Sequence, residues 1–476
     1  MEEALRNRIR PGGRGGAGRA LAWALGAVTV VHVAHHVGGW GGGWLMVLFP
    51  GCLIGMLPHL SARGAFYGGI LLGVAVYAPE LGFFWRLFGA GAILLWLILS
   101  LWLAGFLSLG RLVVHRYGLR IGLLLTPFLW TGLEYFRSEL YYLRFSWINV
   151  GYAMSGTPLH VLLHAWGVYG VGFLSAAAGA AWLAADGGGR RVAHVLAVAG
   201  SALLVAGWHP SASAGRDVIP VAGLQLEDAD VEEVPQRLSR LVDSCPEARL
   251  IVLQEYLLGG EVPPALKGWC REHGRWLVVG GKRQTEGVRW QNTAFVVNPG
   301  GEVVFRQGKS VPIQFVDDGV AADSQKLWES PWGRIGIAIC YDLSYSRVMD
   351  RLVEQGAQGL LIPTMDSIEW GSAQHRLHAR VAPARAAEYG VGIFRVASSG
   401  ISQLVDPSGR VDAEAPCPGS GAEIHGSLVL VDRGGLPLDR WIAPACVAIS
   451  GILILLLALP MRRAGRGMDG LRGEGP

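Results

Sequence analysis

Residues 334–342 read RIGIAICYD, a short β-rich run that delivers a cysteine, Cys340, and an acidic residue two positions later. Two other positions in the same stretch give it meaning. Glu255 closes a second strand-like run, RLIVLQE (249–255), and Lys309 sits in FRQGKSVP (305–312). A carboxylate, an amine and a thiol are the set that cysteine-based amide chemistry needs, as base, oxyanion stabiliser and nucleophile. Runs such as VIPVAGL (218–224), RWLVVGG (275–281), NTAFVVN (292–298), QGLLIP (358–363), GIFRVAS (392–398) and SLVLVD (427–432) alternate with helical stretches at 229–243, 345–356 and 373–389. Apolar strands alternating with helices predict an α/β domain whose sheets are covered by helices. Glu255 and Cys340 fall after strands, where ligand sites of such folds gather.

The rest of the chain is different in kind. Of 476 residues 51% are apolar and 16% charged, with a mean hydropathy of +0.35, too apolar for one water-soluble globule. Residues 21–110 carry only Arg63, Glu80 and Arg86 as charged groups, whereas all four lysines, Lys267, Lys282, Lys309 and Lys326, come later. Eight apolar runs approach spanning length, near 20–38, 41–57, 65–84, 87–109, 119–136, 158–185, 192–208 and 441–460. With the N-terminus cytoplasmic, fifteen arginines (6, 8, 10, 14, 19, 63, 111, 116, 120, 190, 191, 462, 463, 466 and 472) fall on one side. Only Arg86, Arg137 and Arg144 occupy the opposite short loops. This bias predicts that 209–440 lies outside the cytoplasm. The expected domains are a membrane domain over 1–216 with seven helices, a catalytic domain over 217–436, and a closing helix with a basic tail over 437–476. The net charge of +4, with no basic tract interleaved with aromatics, gives no sign of a nucleic-acid partner.

Six cysteines without CxxC spacing form no disulfide framework, although Cys245 and Cys270 could pair in an oxidising compartment. His32, His35 and His36 have helical spacing near the outer end of the first span. Without a nearby carboxylate they are expected to be interfacial histidines, not metal ligands. His375 and His378 share a helix face with Arg380 and Glu388 and predict a polar helix beside the site. Glu134 and Arg137 read as an ion pair at the membrane boundary.

GRIGIAICYD with LVEQGAQGLLIPT (352–364), NTAFVVNPGGEVVFRQGK (292–309) and RAAEYGVGIFRVASSGISQLVDPSG (385–409) resemble the nitrilase superfamily. WTGLEYFRSELYYLRFSWINVGY (130–152) and WGVYGVGFL (166–174) resemble the membrane segment of apolipoprotein N-acyltransferases. The resemblance implies a polytopic α-helical membrane domain joined to a periplasmic α-β-β-α sandwich, in a bacterial inner membrane. It implies Glu255 as base, Lys309 as stabiliser of the tetrahedral intermediate and Cys340 as nucleophile, with the Tyr341 N–H as second oxyanion donor. Asp342 stands where the family has glutamate, and Asp317 or Asp318 would supply an acidic position shortly after Pro312; these are expected to contact the substrate or its oxyanion. The implied partners are a phospholipid acyl donor and a diacylglyceryl-modified lipoprotein acceptor, handled by a monomer with no metal or organic cofactor. A membrane-tethered amidase that lets water resolve the thioester, or a non-catalytic lipid-binding relative, are the alternative readings.

Overall fold

A computed structural model of the protein describes residues 14–36, 39–208, 217–285 and 289–459. The basic head before Arg14, the linker 209–216 and the arginine-rich tail after 459 lie outside the described residues.

The apolar runs are helices. Arg14–His36 forms α1, and a 3-10 stretch over Gly39–Leu48 leads into α2, Phe49–Met56. Then come α3 (Ala62–Glu80), α4 (Phe84–Phe88), α5 (Gly91–Tyr117), α6 (Leu119–Tyr135), α7 (Val150–Ala153), α8 (Val161–Ala184) and α9 (Gly188–Trp208). Among the described residues six helical segments, the final helix Asp439–Ala458 included, are long and apolar enough to cross a membrane. The two further expected spans are α3 and α6. Arg63, Glu80 and four glycines dilute α3, and α6 has 17 residues before it runs into a π turn at Phe136–Leu140. Two of those glycines serve packing: a Cβ at Gly69 would lie 2.5 Å from the Cα of Ala104, and one at Gly73 2.5 Å from that of Ser100. Small residues let α3 and α5 touch backbone to backbone, the usual source of helix association where lipid removes the hydrophobic drive.

The remaining chain folds as two six-stranded sheets. Their strands are β1 (Val218–Leu224), β2 (Leu250–Leu253), β3 (Trp276–Gln284), β4 (Trp290–Val297), β5 (Val303–Gly308), β6 (Leu327–Ser330), β7 (Gly333–Ile337), β8 (Gly359–Pro363), β9 (Gly392–Val396), β10 (Gln403–Val405), β11 (Val411–Glu414) and β12 (Glu423–Val429). One sheet runs β12-β1-β2-β3-β4-β5, the other β11-β10-β9-β8-β7-β6. Each has a parallel centre, β1-β2-β3 and β7-β8-β9, and antiparallel edges. Ile219, Val221, Val252 and Val278 meet Ile335, Ile337, Leu361 and Phe394 between the sheets. Helices α10 (Val234–Ser244) and α11 (Pro264–His273) cover the outer face of the first sheet through Leu238, Leu241, Leu266 and Trp269. Helices α12 (Ser346–Glu354), α13 (Ser372–Ala379) and α14 (Val381–Tyr389) cover the second, in a core continuous with that of the membrane helices. The last helix, Asp439–Ala458, is α15.

The expected helix over 373–389 is therefore two helices meeting at Arg380. Strands β5, β6, β10 and β11 and helix α11 extend the expected set. Three of those strands have only three or four residues, too short for a periodic pattern to stand out. The expected Glu134–Arg137 pair is replaced by a hydrogen bond from Arg137 to the Asn149 side chain.

Two neighbouring glycines of α3 test the packing. Nothing lies within 4 Å of a Cβ at Gly68, so Gly68→Ala should be neutral or stabilising, by up to about 1 kcal/mol of helix propensity. Gly69→Ala forces α3 from α5 and should cost about 1–3 kcal/mol. Thermal unfolding of the two variants in detergent compares them directly.

Candidate active site

Four strand ends from both sheets meet at one point. Beyond β2 the chain reaches Glu255; beyond β5, Lys309; beyond β7, Cys340; beyond β8, Met365 and Asp366. Cys340 opens a 3-10 turn, Cys340–Ser344, with φ of +51°, and Tyr256 follows Glu255 with φ of +59°. Left-handed backbone at non-glycine residues costs of order 1–3 kcal/mol each, and persists where the surroundings over-determine it.

Lys309 is fully buried, its Nζ 2.8 Å from Glu255 Oε1 and 2.8 Å from Asp318 Oδ2. Asn292, on β4, donates to both carboxylates, at 2.5 Å to Glu255 and 3.2 Å to Asp318. The Tyr256 hydroxyl and the Ile313 N–H also donate to Asp318. The Met365 N–H donates to Glu255 Oε2 at 2.9 Å, while the Cys340 Sγ lies 3.7 Å from the Met365 carbonyl oxygen. Burial disfavours the charge on Lys309, but Glu255, the thiol and Asp318 outweigh it and hold the ammonium well above its ordinary range. Burial first, then Glu255 through its charge and a hydrogen bond, pushes the Cys340 thiol far up, against a lowering pull from Lys309. The resting site thus pairs a protonated thiol with a carboxylate able to take its proton.

The sequence candidates separate by placement. Glu255, Lys309 and Cys340 are brought together. Of the two acidic candidates after Pro312, Asp318 is buried against Lys309 and Asp317 is exposed. Asp342 is an inward brace without exposed surface, accepting from the N–H groups of Ser310, Val311 and Ile339. It thereby holds the Lys309 segment against the cysteine turn, which corrects its expected place at the substrate. Burial is the main cause raising its carboxyl to about 6. The Tyr341 hydroxyl donates to the Arg144 carbonyl at 3.0 Å, tying the turn to the membrane half.

Residues outside the sequence reading complete the site. Asn292 was visible only as a polar residue heading an apolar strand. Asp366 accepts from His378 at 2.7 Å, Gln374 at 2.9 Å and Arg395. Burial raises this carboxyl, but His378 and Arg395 overcome it and hold it well below the carboxylate range. Trp147, from the segment after α6, stacks on His378 at 4.5 Å and donates to Ser344 Oγ at 2.8 Å. His375 instead meets the Ser367 carbonyl and Cys417, and Glu388 lies on the other half of the broken helix, bonded to Arg385 and Arg440. Cys245 and Cys270 are buried free thiols. The premise that the outer histidines lack a carboxylate is overturned: Glu80 Oε1 lies 2.6 Å from His32 and 3.2 Å from His36.

Two cavities lie near the site, one reaching Tyr341 of the cysteine turn and one reaching Glu255 and Met365. The first is almost wholly apolar, lined by Phe83, Phe84, Leu87, Leu95, Leu99, Trp147, Phe315 and Tyr341. It lies between α4, α5 and the loop after Lys309. The second is polar and acidic, with Glu255, Tyr256 and Met365 beside Glu227, Asp228 and Glu369.

The electrostatics make a signed forecast. Glu255→Gln removes a charge that disfavours the thiolate and leaves Lys309, which favours it. The Cys340 titration midpoint, followed by thiolate ultraviolet absorbance, should therefore fall below that of the parent. An unchanged or higher midpoint would refute the assignment of Glu255 as the group that raises it.

Comparison with known proteins agrees with this architecture. Residues 221–421 match the carbon-nitrogen hydrolase family, and 25–181 match the apolipoprotein N-acyltransferase N-terminal domain. The chain is 27% identical over 414 residues to an apolipoprotein N-acyltransferase of Geobacter metallireducens, covering 74% of this chain and 79% of that protein. It is 28% identical over 391 residues to one of Azotobacter vinelandii, covering 72% and 74%. A human deaminated glutathione amidase is 28% identical over 180 residues, covering 33% of this chain and 55% of that protein. Both halves are thus matched in order, and over most of its length the chain is similar to apolipoprotein N-acyltransferases, as a divergent relative.

Proposed function

We propose that the protein moves an acyl chain from a phospholipid to the α-amine of a lipidated N-terminal cysteine in lipoproteins, through a thioester on Cys340. The observation that carries this reading is the apolar cavity reaching from membrane helices α4 and α5 to Tyr341, beside the cysteine. Such a space accepts a lipid chain and rejects a small hydrophilic amide.

In the first half-reaction Glu255 takes the Cys340 proton as sulfur attacks the ester carbonyl. The C–S bond forms, the ester C–O bond breaks, and the lysophospholipid leaves with the proton from Glu255. An ammonium has three N–H donors. Glu255 and Asp318 occupy two on Lys309, and the third, with the Tyr341 N–H, would meet the oxyanion. In the second half the acceptor ammonium first loses one proton to solvent. The free amine then attacks the thioester, the C–N bond forms as the C–S bond breaks, and a second nitrogen proton passes by way of Glu255 to sulfur, leaving the amide and the Cys340 thiol. The acidic walls at Glu227, Asp228 and Glu369 suit an acceptor that arrives as an ammonium.

Incubation with phospholipid alone should add one acyl mass to Cys340. Cys340→Ser should abolish this, while Cys245→Ser, Cys270→Ser and Cys417→Ser keep it. Glu255→Gln should slow acylation by about 10²–10⁴, the usual worth of a general base. Lys309→Met should slow it by about 10²–10³, the usual loss of one oxyanion donor. In a conditional N-acyltransferase mutant, mass spectrometry of lipoprotein N-termini should find the amide restored by the parent. Acyl-enzyme followed only by free fatty acid would make the protein a hydrolase instead.

We also place the catalytic half, 217–436, in the periplasm. The sheets sit at the arginine-poor ends of the helices, where Arg86 meets the Glu369 carbonyl and Trp147 meets Ser344. The arginine-rich ends carry their own contacts, Arg120 with Asp186 and Arg111 with the Leu60 carbonyl. A reporter fused after Val221 should be active only as a periplasmic enzyme, and one after Arg463 only as a cytoplasmic one. Both reporting cytoplasmic would reverse the orientation.

A further inference from the structure

We infer that His32, His36 and Glu80 form a binding site for one divalent transition-metal ion, zinc above all, which ties α1 to the end of α3. The two histidines stand one turn apart on α1 and so share a face. His32 Nδ1 lies 2.6 Å and His36 Nε2 3.2 Å from the same carboxylate oxygen, Glu80 Oε1. The three ligand atoms all lie within 4.8 Å of one another. Glu80 is 3% exposed and His36 is half exposed, so one wall of the site is fixed and another is open.

The bonding of His32 is the second observation. Its Nε2 lies 3.1 Å from the Ala75 carbonyl oxygen. A carbonyl only accepts, so Nε2 carries an N–H, and Nδ1 is the ring atom that faces Glu80. A proton satisfies His32 alone; a metal ion satisfies His32, His36 and Glu80 together. Metal-bound histidines typically donate the other ring N–H to a carbonyl or carboxylate, as His32 does here. Two imidazoles and one carboxylate with an open fourth position suit zinc, and ligand bonds of about 2.0–2.2 Å would open the 2.6 Å contact to about 3.3 Å. Arg376, from α13, and Arg380, at its end, line the adjoining cavity with Glu80. Their charge opposes any cation, so affinity must come from inner-sphere bonds. That selects an imidazole-seeking ion over calcium or magnesium. His35, between the two ligands, turns away to the Val31 carbonyl.

The test uses the full chain in detergent, stripped with chelator and titrated with Co²⁺ for its visible ligand-field bands, then with Zn²⁺ in competition. The parent and His194→Gln should bind about one ion per chain. Glu80→Gln and His36→Gln should each weaken binding at least about tenfold, a loss of the order expected even for an outer-shell partner. A parent without bands, or variants that keep the parent's affinity, would overturn the site. Should a variant fail to fold, the parent still decides: Zn²⁺ must protect His36 from diethyl pyrocarbonate, and modification at an unchanged rate counts against the site.

Discussion

One buried ammonium organises the catalytic half. Lys309 has no exposed surface and sits between two carboxylates, so three chain segments must converge to compensate it. Breaking a buried pair by removing one partner typically costs about 3–5 kcal/mol, because a charge is left stranded. The arrangement therefore fixes the ends of β2 and β5 and the loop after Lys309 relative to one another before substrate arrives. It also sets the state of the sulfur. Two carboxylates and one ammonium leave a net negative cluster, and beside it a thiolate is disfavoured. In the proposed mechanism the nucleophile would be generated during attack, by proton transfer to Glu255, and not stored as a standing thiolate.

A second set of buried charges joins that site to the membrane helices. Arg385, on α14, is without exposure and donates to the Leu343 and Ser344 carbonyls of the cysteine turn and to Glu388. Glu388 accepts from Arg440 at the head of α15 and from the Val168 N–H inside α8. At that point α8 is kinked at Gly167, φ of +71°, where a Cβ would fall 2.2 Å from the Asp439 carboxylate. Only glycine serves there, since both the backbone angle and the close approach exclude a side chain. Glu139 adds a further tie, accepting from the Ser346 N–H and the Tyr169 hydroxyl. Tyr152 reaches the Ser344 carbonyl from the membrane side. The turn bearing Cys340 is thus braced by helices that lipid surrounds, and the apolar cavity and the thiol keep a common register.

What the sequence disclosed follows from how local each signal is. The central strands were legible because parallel strands buried on both faces read as unbroken apolar runs, VIPVAGL matching β1 residue for residue. The short strands β6, β10 and β11 were not, since three or four residues carry no period. Glu255 and Cys340 stood out by residue type at strand ends and Lys309 through the family resemblance, whereas Asn292 and Asp366 gain their place only through pairing across a sheet. The break at Arg380 had a local signal that the sequence reading passed over, Pro383, which cannot continue a helix from Ala379. Glu80 lies 48 residues from His32, so a helix-one histidine cluster gave no hint of the carboxylate that packs against it.

The neutral sulfur and its two unlike cavities fit one another in the proposed chemistry. A thiol of raised pKa makes a poor leaving group, since thiolates of lower pKa depart faster. A thioester on Cys340 would therefore survive until a proton is delivered to sulfur, and the donor of that proton is Glu255. That carboxyl becomes protonated only when a nucleophile with a removable proton attacks, and the acidic cavity favours a cationic amine over other solutes. The apolar cavity meanwhile keeps the acyl chain out of water and against the helices. Persistence of the intermediate and choice of acceptor then share one origin, the excess of negative charge around a buried sulfur.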